Sequence, residues 1–298
     1  MPEMNGQEYA QIEELLKAAA PLIELAISED IGIGDATSQA VIPAERVFEG
    51  RILAKSAGVI AGLPVAEAVF SRIDSGLRLM SHVCDGDTVA PGDLVAEVTG
   101  PGRSMLAAER IALNFLQQLS GIATLTRKFV DAVRGTGTAI LDTRKTRPGY
   151  RVLDKYAVRM GGGTNHRMGL YDMLLVKDNH IEAAGSITAA VERVCVAFPS
   201  LPVEVEVKNL VELGEALALR VDRIMLDNMS LDEMRAAVQT VADRVPLEAS
   251  GNVDMARVAA IAATGVDYIS IGALTHSAPV LDLSMLIKWP GFWSCYEY

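Results

Sequence analysis

Arg144, Lys145, Arg167 and Lys177, with His166 among them, fall in one short stretch of an otherwise acidic chain. The segment LDTRKTRPGYRVLDKYAVRMGGGTNHR, extended to Ala139–His180, holds eight Lys/Arg against four Asp/Glu, while the whole chain carries a formal charge of -11. A local positive excess in a negative molecule indicates a pocket for a polyanion. Guanidinium presents a planar fork that matches a carboxylate, and an ammonium acts as a compact charge suited to phosphate. Arg151, Lys155 and Arg159 are spaced by four, which reads instead as a solvated helix face with ordinary ion pairs.

These groups need elements to hold them. From Thr138 onward short β-branched apolar runs alternate with amphipathic segments. Strands are expected at Ala139–Asp142, Met173–Lys177, Val203–Val207, Arg223–Asp227, Leu247–Ser250 and Tyr268–Gly272. Helices are expected at Thr188–Ala197, Leu210–Leu219, Leu231–Ala242 and Asp254–Ala263. Such alternation predicts a parallel sheet with helices outside, and strands apolar on both faces favour a barrel. Six strands rather than eight make it irregular or incomplete. Each strand ends on polar residues: Asp142-Thr143-Arg144-Lys145, Lys177-Asp178-Asn179-His180, Glu206, Asp227-Asn228, Ser250-Gly251-Asn252 and Gly272-Ala273. In a β/α barrel those ends converge on one face, where the chemistry is built. Glu206 and Asp227 are acceptors suited to sugar hydroxyls or to Mg²⁺. Glu204 and Glu206 share a strand face, where either could equally be a cross-strand ion pair. "ASGNV" and "IGALTH" bring small residues to the last two strand ends, so that backbone N–H groups could cradle a phosphate. Gly161-Gly162-Gly163 fits neither GxxxxGK[ST] nor GxGxxG; it reads as a permissive turn aiming Asn165, His166 and Arg167 into the site.

The first part of the chain differs. A helix is expected over Glu8–Glu29, short strands and turns over Val41–Val98, and a helix from about Met105 that Ser120-Gly121 interrupts. "DGDTVAPGDLVAEV" looks somewhat like a biotinyl or lipoyl carrier hairpin, but no lysine occurs between Ser56 and Arg127 to carry the group. The tail Asp282–Tyr298 holds both tryptophans and is expected to pack on the N-terminal part. A pI near 4.9 argues against general nucleic-acid binding, which relies on a broad basic surface. No apolar run is long enough to cross a membrane. Met1–Ala20 carries Glu3, Glu8, Glu13 and Glu14 and does not read as a secretory signal. Cys84, Cys195 and Cys295 are far apart, which points to a reducing compartment, and a cytoplasmic location is expected.

The stretches "EDIGIGDATS", "ERIALNFLQQLSGIAT", "LDTRKTRPG", "KYAVRMGGGTNHRMGLYDMLLVKDNH", "IMLDNM", "LEASGNV" and "TGVDYISIGALTHSAP" closely resemble the quinolinate phosphoribosyltransferase family. The resemblance runs from about Glu29 to Pro279, and no charged site position departs from the pattern. It implies an α/β protein: an N-terminal open α/β sandwich domain (1–119, joined by the tail 275–298) and an irregular, incomplete β/α barrel (120–274). It implies that quinolinate and phosphoribosyl pyrophosphate, with Mg²⁺, give nicotinate mononucleotide, pyrophosphate and CO₂. By the same resemblance Arg144, His166, Arg167 and Arg110 of the partner subunit in a homodimer bind quinolinate. Lys145 and Lys177 lie nearer the phosphates, with Thr143 beside them. Glu206 and Asp227 hold ribose hydroxyls and the metal, so that Lys145, Lys177, Glu206 and Asp227 are the catalytic set. Ser250, Gly251, Asn252, Ile271, Gly272 and Ala273 cradle the 5′-phosphate. Other readings of the same residues stay open here: a Schiff-base aldolase using Lys177 or Lys145, another pyridine acceptor, or a non-catalytic anion-binding protein.

Overall fold

The computed structural model describes residues 6–288; the segment 289–298, with both tryptophans and the end of the tail, lies outside the described residues. The chain forms two compact units, one of residues up to Leu125 with Arg147–Gly162 and the residues from Ser277 on, the other of Thr126–Thr146 and Gly163–His276. The division therefore differs from the expected 1–119 and 120–274. It falls inside a helix, and 147–162 groups with the first unit.

In the first unit the strands are β1 (Val47–Ala54), β2 (Gly58–Val59), β3 (Arg78–Ser81), β4 (Thr88–Val89) and β5 (Leu94–Pro101). Residues of β1 alternate between exposed and buried, the period-two pattern of a sheet covered on one face. The last described strand, β12 (Leu283–Lys288), pairs antiparallel with β1, so this part of the tail joins the N-terminal sheet in the order β12-β1-β5-β3. Helices Gly6–Asp30 and Leu63–Ile73 accompany it. The second of these was hidden among turn signals. Its start is capped from a distance, because the Asp85 carboxylate accepts the N–H groups of Gly62 and Leu63.

The helix Gly102–Ala132 runs unbroken through Ser120-Gly121, contrary to the expected interruption. Gly121 is there for closeness rather than for a break. A β-carbon on it would stand 2.1 Å from the Pro279 carbonyl oxygen and 2.9 Å from Val280 Cα. Gly121→Ala is therefore expected to cost about 3 kcal/mol of stability, read from urea unfolding, because backbone cannot yield as a side chain would.

Helix Arg151–Met160 corrects a second expectation. Arg151 and Arg159 are half-buried, but Lys155 between them is fully buried, so this is not a solvated face. Tyr156 from the same helix donates its hydroxyl to Asp85 at 2.6 Å. Burial pushes the Asp85 carboxyl up, and the bonds from Tyr156, Gly62 and Leu63 act in the other direction. Arg147 reaches Asp154 at 2.8 Å and lies 4.1 Å from the centre of the Tyr150 ring.

The second unit contains β6 (Ala139–Leu141), β7 (Leu174–Val176), β8 (Val203–Val207), β9 (Arg223–Asp227), β10 (Leu247–Ser250) and β11 (Tyr268–Ser270). All neighbours pair in parallel in the order β6-β11-β10-β9-β8-β7, and the outer strands β6 and β7 do not pair with each other. This is the incomplete β/α barrel that was expected. Every residue of β8 is buried, as a strand covered on both sides requires. The helices return each chain segment to the next strand, and their starts are well specified. Ser230 and Glu233 form a reciprocal cap for Leu231–Val241, and Asn209 caps Leu210–Leu217.

Candidate active site

Parallel pairing brings the carboxyl ends of β6 to β11 to one edge of the sheet. At the end of β6 the buried Asp142 accepts the Asn165 side-chain amide at 2.6 Å and the His166 N–H at 2.9 Å. Thr164 also exchanges backbone bonds with Ile140 and Asp142. The glycine-rich segment is thereby zipped onto β6, immediately before Arg167 in sequence. Burial depresses the Arg167 guanidinium pKa, and the like charge of Arg144 depresses it further. Arg144 therefore adds positive charge to the surroundings of Arg167, which favours an anion nearby. Arg167 is steadied by a bond from Nη1 to the Met173 carbonyl at 3.1 Å.

His166 sits deeper, with its side chain only 6% exposed. Its Nε2 lies 3.0 Å from Glu204 and 3.4 Å from Glu248, and its Nδ1 accepts the Arg167 N–H at 2.7 Å. Burial disfavours the charged ring, but bonds and charge from Glu204 and Glu248 outweigh it and lift the pKa to about 9. The Arg167 amide opposes that, since it needs Nδ1 bare. A backbone N–H has no second protonation state, so we read the ring as carrying its proton on Nε2. Burial raises the Glu204 carboxyl. Burial also acts on Glu248, but the His166 bond and the Arg223 charge prevail and hold it low. Arg223 Nη1 bonds Glu248 at 3.0 Å. His166, Glu204 and Glu248 are the one trio of such groups among the described residues that lies within reach of a single metal ion. The guanidinium already supplies the balancing charge there, so a divalent cation would meet repulsion.

One step along β8, about 7 Å further by the strand repeat, the face turns functional. Lys177, at the end of β7, places Nζ 2.6 Å from Glu206, whose side chain is 9% exposed. His180 accepts the Lys177 N–H at 3.0 Å and so fixes its backbone. Asp227 ends β9 in register with Ser250 of β10, and among the described residues no group of the chain bonds its carboxylate. Glu206 and Asp227 stand toward the carboxyl ends of adjacent strands and carry oxygens of the kind Mg²⁺ takes, with the Lys177 ammonium balancing the charge of Glu206 and none of the chain's groups bonding the Asp227 carboxylate among the described residues. Lys145 lies across the end of β11: a β-carbon on Gly272 would be 2.9 Å from Lys145 Cδ and 3.2 Å from His276 Nε2. Thr275 bonds the Lys145 carbonyl at 2.8 Å, and Thr143 accepts the Lys145 N–H at 3.1 Å. Ser250, Gly251 and Asn252 form the turn after β10; Ile271 is buried, and Gly272 and Ala273 follow it half-exposed.

Arg110 lies on helix Gly102–Ala132 in the first unit, exposed. Sequence reasoning singled out the upper layer and missed the partners below it, Arg223 and Glu248. The signal for Glu248 was its position two residues before Ser250, which puts both on one strand face.

The chain matches two consecutive sequence profiles, "Quinolinate phosphoribosyl transferase, N-terminal domain" over residues 35–120 and "Quinolinate phosphoribosyl transferase, C-terminal domain" over residues 122–286. It is 48% identical over 271 residues to a probable nicotinate-nucleotide pyrophosphorylase [carboxylating] of Synechocystis sp., covering 90% of this chain and 92% of that one. It is 45% identical to the nicotinate-nucleotide pyrophosphorylase [carboxylating] of Mycobacterium leprae, covering 90% and 96%. The solved nicotinate-nucleotide pyrophosphorylase of Francisella tularensis superposes with a TM-score of 0.89 at 40% identity, over 91% of this chain and 96% of that one. Profile, sequence and backbone agree over nearly the whole length, and the chain belongs to the quinolinate phosphoribosyltransferase family.

Proposed function

We infer that the chain transfers the phosphoribosyl group of phosphoribosyl pyrophosphate to quinolinate, a step of de novo NAD biosynthesis. The products are nicotinate mononucleotide, pyrophosphate and CO₂. The observation that carries this reading is the Lys177–Glu206 pair and Asp227 at the carboxyl ends of adjacent parallel strands, with Arg144 and Lys145 following β6 at the same edge. Both reactants are multiply charged anions and repel until cations are set between them.

The side chains divide the work. Arg144 and Arg167 take the adjacent carboxylates of quinolinate, and His166 contributes through the Arg167 backbone that it fixes. Lys145 and Lys177 lie toward the phosphates and the acceptor carboxylate, and Thr143 holds the Lys145 backbone in place. The turns Ser250-Gly251-Asn252 and Ile271-Gly272-Ala273 offer N–H groups to the 5′-phosphate. Glu206 and Asp227 hold ribose hydroxyls and would hold Mg²⁺, which when bound supplies charge neutralisation to the departing pyrophosphate. Their carboxylates also face the ribose C1 as it gains cationic character. The pyridine nitrogen then attacks C1. The pyridinium so formed draws electrons from C2, its carboxylate leaves as CO₂, and C2 is protonated. Fixing two reactants side by side removes the entropic cost of their meeting during the chemical step. A lysine acting as a Schiff-base nucleophile fits less well, because Lys177 is already engaged by Glu206.

The dimer with Arg110 entering the partner's site belongs to the same proposal, supported by the exposure of Arg110 on its helix. Heterodimers of Arg110→Ala and Arg144→Ala subunits are expected to regain up to about half of parental activity, because one of their two sites becomes whole while each parent variant has none. Proven heterodimers that stay inactive would remove the cross-subunit role. We place the reaction in the cytoplasm, which accords with the free thiols of Cys84 and Cys195. Among the described residues no helix is long and apolar enough to cross a membrane. Turnover tests the assignment as a whole. Quinolinate, phosphoribosyl pyrophosphate and Mg²⁺ should give nicotinate mononucleotide, whereas turnover with nicotinate in place of quinolinate would assign a different acceptor.

A further inference from the structure

We propose that Asn228 is a positioning residue that holds the phosphate-binding turn after β10 in register with Asp227; the inference rests on the phosphoribosyl-transfer reading above. Two non-glycine residues at neighbouring strand ends adopt left-handed backbone, Asn228 at φ 55° just past β9 and Asn252 at φ 50° just past β10, with Gly251 at φ 96° beside the latter. That region is sterically costly for most side chains and least so for asparagine. The two asparagines use it to face each other. Asn252 Nδ2 donates to Asn228 Oδ1 at 3.2 Å, and the Asn228 N–H donates to the Ser250 carbonyl at 2.9 Å.

The link leaves no slack. A β-carbon on Gly251 would stand 2.1 Å from Asn228 Oδ1 and 3.0 Å from its Nδ2, so the carboxamide lies directly against the Gly251 backbone. From the other side Arg257 Nη1 grips the Asn252 carbonyl at 3.0 Å. The Gly251–Asn252 turn is therefore held against a side chain from the end of the adjoining strand. Asn228 is bonded in sequence to Asp227, the residue placed at the ribose. One carboxamide thus fixes the spacing between the ribose carboxylate and the phosphate turn, a spacing that matters for the phosphoribosyl donor and not for the pyridine acceptor.

Asn228→Gly isolates this role, since glycine keeps the left-handed backbone without strain and removes only the carboxamide. We expect the KM for phosphoribosyl pyrophosphate to rise about tenfold, with the KM for quinolinate within twofold and the melting temperature close to the parent's. Calorimetric binding of ribose 5-phosphate should weaken by the same factor. An Asn228→Gly/Asn252→Gly double variant should be no more than about twofold weaker than the weaker single, because the pair acts as a unit. Unchanged ribose 5-phosphate binding in the variant would overturn the inference alone. So would equal losses for both substrates, or losses that multiply in the double variant. A parent protein that neither binds ribose 5-phosphate nor turns over quinolinate would instead overturn the phosphoribosyl-transfer reading, and this inference with it.

Discussion

Arg144→Ala is expected to lower kcat/KM for quinolinate about a thousandfold, the scale of removing a preorganised charged contact made in the transition state. The reason lies in the pair it forms with Arg167. Two guanidiniums held close enough for one to depress the other's pKa are poised for a ligand of two adjacent negative charges. Removing one leaves a single fork for two carboxylates and half the charge that offsets the repulsion between the reactants. Apart from Lys145 and the Thr143 that holds it, the donor contacts lie on other strands, so ribose 5-phosphate binding should stay within about threefold of the parent. Arg144→Lys should recover little, because an ammonium cannot reproduce the planar two-pronged contact. Quinolinate saturation at parental concentrations in the alanine variant would remove Arg144 from the acceptor site.

Lys177→Ala should reduce kcat by about a hundredfold or more, for two coupled reasons. It removes a cation facing the phosphates. It also strands Glu206, whose side chain is 9% exposed and whose carboxylate is 2.6 Å from Lys177 Nζ. The lysine end of this pair is open to solvent, so losing the partner costs about 1 kcal/mol of stability, and the main loss is of charge. Because Glu206 also has the ribose and the metal to hold, Lys177→Ala/Glu206→Ala is expected to be slower than either single variant, but by less than the product of the two losses, since both changes break the same ion pair. Losses that multiply would show the two residues acting separately.

The upper layer of the site was legible because it obeys a simple rule: polar residues where an apolar β-run stops. Val203–Val207, Arg223–Asp227 and Leu247–Ser250 fall where periodicity put them. What escaped was set by distant contacts. Gly121 reads locally as a helix breaker, yet its meaning is the Pro279 backbone, more than 150 positions away in sequence. Lys155 has the four-residue spacing of a surface ion pair but is buried; spacing defines a face and not which way it turns. Asp85 reads as part of a turn, but burial and Tyr156 make it an anchor for helix Arg151–Met160. The contacts of His166 Nε2 with Glu204 and Glu248 had no local signal either, because two carboxylates hidden inside otherwise apolar strands require a donor from somewhere.

The most direct measurement uses quinolinate labelled at one carboxyl at a time, with phosphoribosyl pyrophosphate and Mg²⁺. Label at the C2 carboxyl should appear in CO₂ one for one with nicotinate mononucleotide, label at C3 should stay in the nucleotide, and omitting the donor should abolish both. CO₂ released without phosphoribosyl pyrophosphate, or nucleotide formed with both carboxyls retained, would contradict an account in which bond formation at the pyridine nitrogen drives the loss of its neighbour.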